Sequence, residues 1–205
     1  VALHGLQRLD YKGGGTVAIL GGGTIGLLTA QFAKIFGARK VYVFDILDER
    51  LALASRLGEI EGINSSDKDW YEKAMEATEG KGFDYVYETA GNTITMKMAF
   101  RLAGSKAQVC FIGTPTRELC FSADEWEALN RKEFTLTGSW MSYSAPFPGK
   151  EWKLAAELFK SGQLKFDDSF VFKKMPLKDI ARAFEMYKTP GMVKGKILID
   201  SRVNE

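Results

Sequence analysis

Three glycines and one aspartate near the start of the chain have the types and spacing to hold a diphosphate and a sugar diol. Gly21, Gly23 and Gly26 form a G-x-G-x-x-G pattern inside "TVAILGGGTIGLL", and Asp45 follows nineteen residues after Gly26. In such a pattern the first glycine permits a tight turn out of a strand. The second lets a diphosphate lie against main chain that a β-carbon would otherwise cover. The third lets a helix pack close to the sheet. The N-terminus of that helix then offers unpaired N–H groups and a partial positive charge, which Thr24 and Ile25 would supply. A carboxylate ending the next strand can accept both hydroxyls of an adenosine ribose and repels a 2′-phosphate, which favours NAD over NADP. Arg50 lies nearby, where it could lie over the adenine and partly offset that charge. The alternative is a flavodoxin-like or methyltransferase sheet with a glycine turn and an incidental aspartate.

Two further stretches stand where strands should end. "ETAGN" (88–92) and "IGT" (112–114) are small enough to leave room for the second ribose and the nicotinamide. Ordinary strand-to-helix turn chemistry explains the same residues equally well.

These residues need a frame, and the pattern of apolar runs supplies one. "TVAIL" (16–20), "VYVF" (41–44), "FDYVYE" (83–88) and "AQVCFIG" (107–113) read as strands, with a shorter one around Ile63. Between them, helices are expected at 25–36, where Ile25, Leu28, Phe32, Ile35 and Phe36 recur at helical spacing, at 48–58 with Asp48 as its cap, in "DWYEKAMEATEG" and in "TITMKMAFRLAG". The strands are continuous apolar runs, as strands buried on both faces are. An α/β fold with a doubly wound parallel sheet and right-handed crossovers follows. After Gly113, "ELCF" (118–121) and "FTLTGSW" (134–140) read as strands flanking the helix "ADEWEALNRK". A helix at 151–160, a strand near "FVFKK", a helix at 177–187 and a closing strand "GKILI" complete the chain. Leu177, Ile180, Ala181, Phe184 and Tyr187 form an apolar stripe of core type. The division expected is 1–150 for the sheet domain and 151–205 for a bridging helix and C-terminal segment.

The bulk properties exclude several classes. The 205 residues carry a formal charge of +2, too near balance for a dedicated nucleic-acid or polybasic membrane surface. No apolar stretch reaches the length of a membrane span. Cys110 and Cys120 both lie among apolar neighbours and read as buried reduced thiols of a cytoplasmic protein. His4 is the only histidine. It sits on the amphipathic opening helix "VALHGLQRL", where a surface or packing role is expected. That opening has neither an initial methionine nor a preceding cap, and reads as part of something longer.

Taken together, "TVAILGGGTIGLLTAQFAKIFGA", "VFD", "DYVYETAG", "CFIGTP", "LTGSW" and "GKILI" resemble the cofactor half of zinc-dependent medium-chain dehydrogenases. The resemblance covers nearly the whole chain. "TLTGSWMSYSAPFPGKEW" resembles galactitol-1-phosphate 5-dehydrogenases and related polyol dehydrogenases within that family. The resemblance implies a Rossmann domain with strand order 3-2-1-4-5-6, NAD as cofactor and reversible oxidation of a secondary alcohol in a polyol or polyol phosphate. Carried onto this sequence, Gly21, Gly23, Thr24 and Ile25 would hold the diphosphate, and Asp45 and Arg50 the adenosine. Thr89, Ala90, Ile112, Gly113 and Ser139 would line the nicotinamide side, and Lys196 would stand near the diphosphate. Residues 134–140 resemble the edge strand through which family dimers join, and an apolar edge gives a physical reason for pairing.

The resemblance also implies zinc, held in a lobe preceding the sheet domain. No Gly-His-Glu tripeptide or cysteine cluster of that kind occurs in this sequence, so neither catalytic nor metal-ligating residues are assigned within it. A GroES-like lobe has no counterpart in these residues, and the C-terminal segment would belong to an incomplete catalytic lobe. The chain alone is expected to bind NAD and turn over almost nothing. The zinc-free Tyr-x-x-x-Lys pair of short-chain dehydrogenases is missing too, since no tyrosine has lysine as the fourth residue after it. A stand-alone NAD-sensing module and a class I methyltransferase with an antiparallel last strand are the alternatives. Of the aromatic residues Trp140, Tyr143, Phe147 and Trp152, Trp152 is expected to cover the sheet edge, whereas Trp140 and Tyr143 could equally line a substrate pocket.

Overall fold

The computed structural model describes residues 1–141, 147, 149–189 and 191–202. They form two compact units, Val1–Leu164 and Lys165–Glu205.

The first unit is built on six strands. These are β1 (Thr16–Leu20), β2 (Lys40–Asp45), β3 (Ile60–Asn64), β4 (Phe83–Glu88), β5 (Ala103–Phe111) and β6 (Thr135–Gly138). They lie side by side in the order β3-β2-β1-β4-β5-β6. Every pairing is parallel, including β5 with β6, so the antiparallel last strand of a methyltransferase sheet is not found in it. The central strand β1 is buried at every residue, as a strand covered on both faces should be. Its side chains alternate between faces. Ala18 and Leu20 join Tyr42, Phe44, Phe83, Val86 and Val109 in one core cluster. Val17 and Ile19 serve the opposite face and are equally inaccessible.

Seven helices accompany the sheet: α1 (Ala2–Gln7), α2 (Thr24–Ile35), α3 (Asp48–Arg56), α4 (Trp70–Ala77), α5 (Thr93–Leu102), α6 (Ala123–Lys132) and α7 (Lys150–Lys160). Ala74 of α4 and Met98, Ala99 and Phe100 of α5 complete the core on the Leu20 side. α6 opens with a reciprocal cap, in which the Ser122 hydroxyl accepts the Glu125 N–H and the Glu125 carboxylate accepts the Ser122 N–H. This satisfies two donors that a helix start leaves unpaired.

Three local expectations need correction. Asp48 is the first helical residue of α3, and Leu47 is its cap. The Leu47 N–H goes to the Asp45 carboxylate at 3.0 Å, and no side chain caps the helix. Residues 118–121 are irregular rather than a strand; β6 takes the place beside β5, and Phe121 instead stacks on Phe100, ring centroids 4.6 Å apart. Cys120 is exposed; only Cys110, inside β5, is the buried thiol expected. Its neighbour Phe121 does pack against the core, and this is the apolar signal in "LCF".

The second unit contains β7 (Val171–Pro176), α8 (Ile180–Lys188) and β8 (Lys196–Asp200), with short 3-10 turns at Asp168–Phe170 and Leu177–Asp179. β7 and β8 pair in parallel. Phe170, Met175 and Ala183 are buried. Leu177, Ile180, Ala181, Phe184 and Tyr187, the apolar stripe of the sequence, are exposed.

Candidate functional site

The parallel arrangement brings the C-terminal ends of β1, β2, β4, β5 and β6 to one edge of the sheet, and most of the candidate residues are there. β1 runs directly into the glycine turn. Gly21 takes φ +105°, a conformation that side chains resist. A β-carbon on Gly21 would sit 3.1 Å from both the Ala90 β-carbon and the Thr89 hydroxyl. A β-carbon on Gly26 would fall 1.8 Å from the Gly21 carbonyl oxygen, so α2 can start this close to β1 only with glycine there. Gly23 differs. It is the cap residue of α2, with ordinary φ −74°, and a β-carbon on it would meet nothing within 4 Å. No side chain caps this helix. The first intrahelical donor is the Leu27 N–H, which bonds the Gly23 carbonyl, so the first-turn N–H groups of Thr24 and Ile25 have no acceptor within the helix.

Asp45, ending β2, is 7% exposed. Its Oδ2 accepts the Gly22 N–H at 2.7 Å and an Arg50 Nη1 donor at 3.1 Å; its Oδ1 accepts the Leu47 N–H. The aspartate and the glycine turn therefore belong to one construction, as a single adenosine diphosphate spanning both would require. Arg50 folds back on the carboxylate, and its Nε is a buried donor with no partner.

Thr89 closes the turn from the other side. Its hydroxyl donates to the Leu20 carbonyl at 2.9 Å and to the Gly21 carbonyl at 3.2 Å. Ala90 is exposed beside it. Ile112 and Gly113 both donate main-chain N–H bonds to the Glu88 carbonyl, at 2.8 and 3.0 Å. Ser139 donates its N–H to the Phe111 carbonyl at 2.9 Å. α1 packs against this end: a β-carbon on Gly5 would clash with the Ile112 side chain at 2.2 Å and come within 3.7 Å of the Ser139 hydroxyl. Lys196 opens β8 in the second unit.

The sequence reading gave Glu88 no role. It is completely buried, and its carboxylate accepts the Ala90 and Gly91 N–H groups and the Thr95 hydroxyl. Burial pushes its carboxyl above the usual range, opposed by these hydrogen bonds. The signal was an acid directly after the buried run Tyr85–Tyr87 and immediately before Thr-Ala-Gly.

Beside this edge lies a cavity of about 490 Å³ lined by His4, Arg8, Phe111, Gly138, Ser139 and Trp140. Trp140 thus faces a cavity. Tyr143 lies outside the described residues. Trp152 lines a separate apolar groove with Leu3, Ile25, Leu28 and Phe32, and Phe147 meets it edge-on at 5.4 Å. His4 is bonded through Nδ1 to the Glu151 carboxylate at 2.8 Å. Burial pushes the Cys110 thiol up to about 12, far from a reactive thiolate. Among the described residues no three His, Cys, Asp or Glu side chains converge as metal ligands. His4 is committed to Glu151, and Cys110 and Cys120 differ in exposure, so the donor set here does not fit a zinc site.

Residues 24–161 match the family model described as zinc-binding dehydrogenase. Galactitol 1-phosphate 5-dehydrogenase of Escherichia coli K12 is 36% identical over 187 residues, which cover 88% of this chain and 53% of that protein. The crystal structure of galactitol-1-phosphate dehydrogenase from Escherichia coli superposes with a TM-score of 0.85 at 33% identity, covering 97% of this chain and 57% of that one. A Sinorhizobium meliloti 1021 structure, described as a zinc-binding dehydrogenase and bound to NADP, superposes with a TM-score of 0.79 at 28% identity over 97% of this chain and 56% of that one. The chain spans about half the length of the relatives it matches.

Proposed function

Because the chain belongs to the zinc-binding dehydrogenase family, we propose that it is the part of a zinc-dependent polyol or polyol-phosphate dehydrogenase that holds NAD. The observation that carries this reading is the open main chain at Gly23 joined to a buried Asp45 through the Gly22 N–H. The N–H groups of Gly23, Thr24 and Ile25 would bind the diphosphate. Asp45 would accept the ribose diol through its remaining lone pairs, and Arg50 would sit beside the adenine. Thr89, Ala90, Ile112, Gly113 and Ser139 would surround the nicotinamide. NAD, when bound, supplies a carbon that takes up hydride from a secondary alcohol. This chain's own residues bind and orient it and keep water from its reacting face.

NAD is favoured over NADP because a buried carboxylate opposes a 2′-phosphate, although Arg50 reduces that effect. Zinc would be held by residues other than those described here, so no step of the reaction is assigned to it within this chain. The dimer would form along β6, which bonds to β5 on one side and ends the sheet on the other. A cytoplasmic setting is part of the same reading; no described helix is long and apolar enough to cross a membrane.

Calorimetric titration with NAD, NADP and S-adenosylmethionine tests the reading. NAD should bind about tenfold or more tightly than NADP, the ordinary penalty for one unpaired charged group. Binding of S-adenosylmethionine with no response to NAD would overturn it. With zinc and galactitol 1-phosphate added, these 205 residues alone should release no sustained NADH.

A further inference from the structure

We infer that Glu88 is a positioning residue that shapes the nicotinamide half of the site through the main chain, an inference that rests on the NAD reading above. Its carboxylate is buried at the end of β4, where an ion without partners would be strongly disfavoured. The partners are donors from the β4 turn and from the first turn of α5. Oε1 accepts the Ala90 N–H at 3.0 Å, the Gly91 N–H at 3.0 Å and the Thr95 hydroxyl at 2.7 Å, while Oε2 lies 3.3 Å from the Gly91 nitrogen. The Glu88 carbonyl meanwhile accepts from Ile112 and Gly113. One residue thus ties together the β4 turn, the first turn of α5 and the loop leaving β5.

Packing around the carboxylate leaves no slack. A β-carbon on Gly113 would fall 2.5 Å from Glu88 Oε2 and 2.2 Å from the Gly91 nitrogen. The two loops touch through bare main chain, and the carboxylate sets their separation. Thr89, Ala90, Ile112 and Gly113, the residues carried to the nicotinamide side, are the immediate neighbours of these bonds. The adenosine side is anchored by a group outside this turn, Asp45, which accepts the Gly22 N–H; Thr89 reaches the Leu20 and Gly21 carbonyls through its own hydroxyl and not through the Glu88 carboxylate.

The chemistry distinguishes a carboxylate from its isostere. Every group aimed at Glu88 donates, so the amide nitrogen of a glutamine would face donors on at least one side. With its oxygen at the Oε1 position, that NH2 would meet the Gly91 N–H at the Oε2 position and remain a buried donor without an acceptor, and the turn would move. An anchor of stability alone would weaken the fold and leave the affinities for the two halves of the cofactor in their original ratio.

The test is Glu88→Gln in the full 205-residue chain, titrated with NADH, ADP-ribose and AMP. NADH should weaken about tenfold, the effect of one unsatisfied buried donor. ADP-ribose and AMP should stay within about twofold of the parent chain, below what one such donor costs. Thr95→Val removes one donor and leaves the carboxylate, so it serves if Glu88→Gln does not fold. It should give a smaller split of the same sign. Equal weakening of all three ligands, or no change in any, overturns the inference while the NAD reading stands. If the unsubstituted chain binds neither NADH nor AMP, the NAD reading itself fails and takes this inference with it.

Discussion

The Gly22 N–H points at Asp45 Oδ2 across 2.7 Å, so the acid that ends β2 is bonded to the turn that ends β1. Twenty-three residues separate the two in sequence. Parallel pairing brings them together: Leu20 lies opposite Phe44 in the register of β1 and β2, Gly22 follows two residues after Leu20, and Asp45 follows directly after Phe44. The bond also explains why Asp45 is nearly inaccessible before any ribose is bound.

Asp45→Asn should therefore do two things. Its amide nitrogen would face either Gly22 or Leu47, and Arg50 would lose its ion pair, at a cost of about 1–3 kcal/mol in stability. The negative charge opposing a 2′-phosphate would also go. The ratio of NADP to NAD affinity should rise about tenfold, read by titration with both cofactors. An unchanged ratio would show that Asp45 supports the turn without facing the ribose.

The glycines separate packing from binding. Gly26→Ala places a methyl 1.8 Å from the Gly21 oxygen, and α2 must shift away from β1. Unfolding should become easier by about 3 kcal/mol or more. Gly23→Ala places a methyl in open space at a backbone conformation alanine accepts. Its stability should change by less than about 1 kcal/mol, while NAD affinity should drop about tenfold or more, because the methyl occupies the path of the diphosphate. Denaturant melts and calorimetry on the two variants together check the contrast. Equal NAD binding by Gly23→Ala and the parent chain would remove the diphosphate from this turn.

Much of this frame was legible in the sequence because it is local. Apolar runs at 16–20 and 83–88 became strands with those limits, and parallel order followed from burial on both faces. What was not legible depends on partners distant in the chain. Cys120 has the same kind of apolar neighbours as Cys110 yet is exposed. Asp48 is of a capping type, but α3 begins on it and Leu47 is the cap residue. Glu88 could not be recognised as an anchor because its donors lie in turns whose shape no periodicity encodes.

At the opposite end of the sheet, Lys132 closes α5. Its ammonium donates to the carbonyls of Phe100, Arg101 and Ala103 at 2.8–2.9 Å, acceptors that the end of a helix leaves unpaired. Burial and the nearby Arg101 charge hold its pKa below the usual lysine value. Lys132→Met keeps the apolar stem and removes the donors. It should lower stability by about 2 kcal/mol, or roughly 5 °C in melting temperature for a chain of this size. NAD affinity should not move, since β5 runs its whole length between Lys132 and the cofactor edge. A change in affinity larger than about twofold, beyond what such distant sites normally share, would show that the ends of the sheet are coupled.

His4 and Glu151 tie α1 to α7 through a 2.8 Å bond, and this tie should carry a signature in pH. The His4 hydrogen bond is the main influence holding the Glu151 carboxyl below its usual value of 4.5; main-chain bonding and the charges of His4 and Lys150 add to it, and burial opposes it. A carboxyl depressed on folding binds fewer protons in the folded chain than in the unfolded one. Its stabilisation is therefore complete above the unfolded value and is lost as pH falls through the folded one. Melting temperatures of the parent chain and of Glu151→Gln should differ at about pH 5.5 by an amount corresponding to about 1.5–3 kcal/mol, as for a hydrogen bond to a charged group. The gap should close as pH drops below 4.5. His4→Phe, which removes the donor but fills the space, should close it in the same window. A gap that stays level down to pH ~3 would mean that Glu151 contributes through packing and not through its charge, because linkage requires a proton-dependent slope wherever the folded and unfolded values differ.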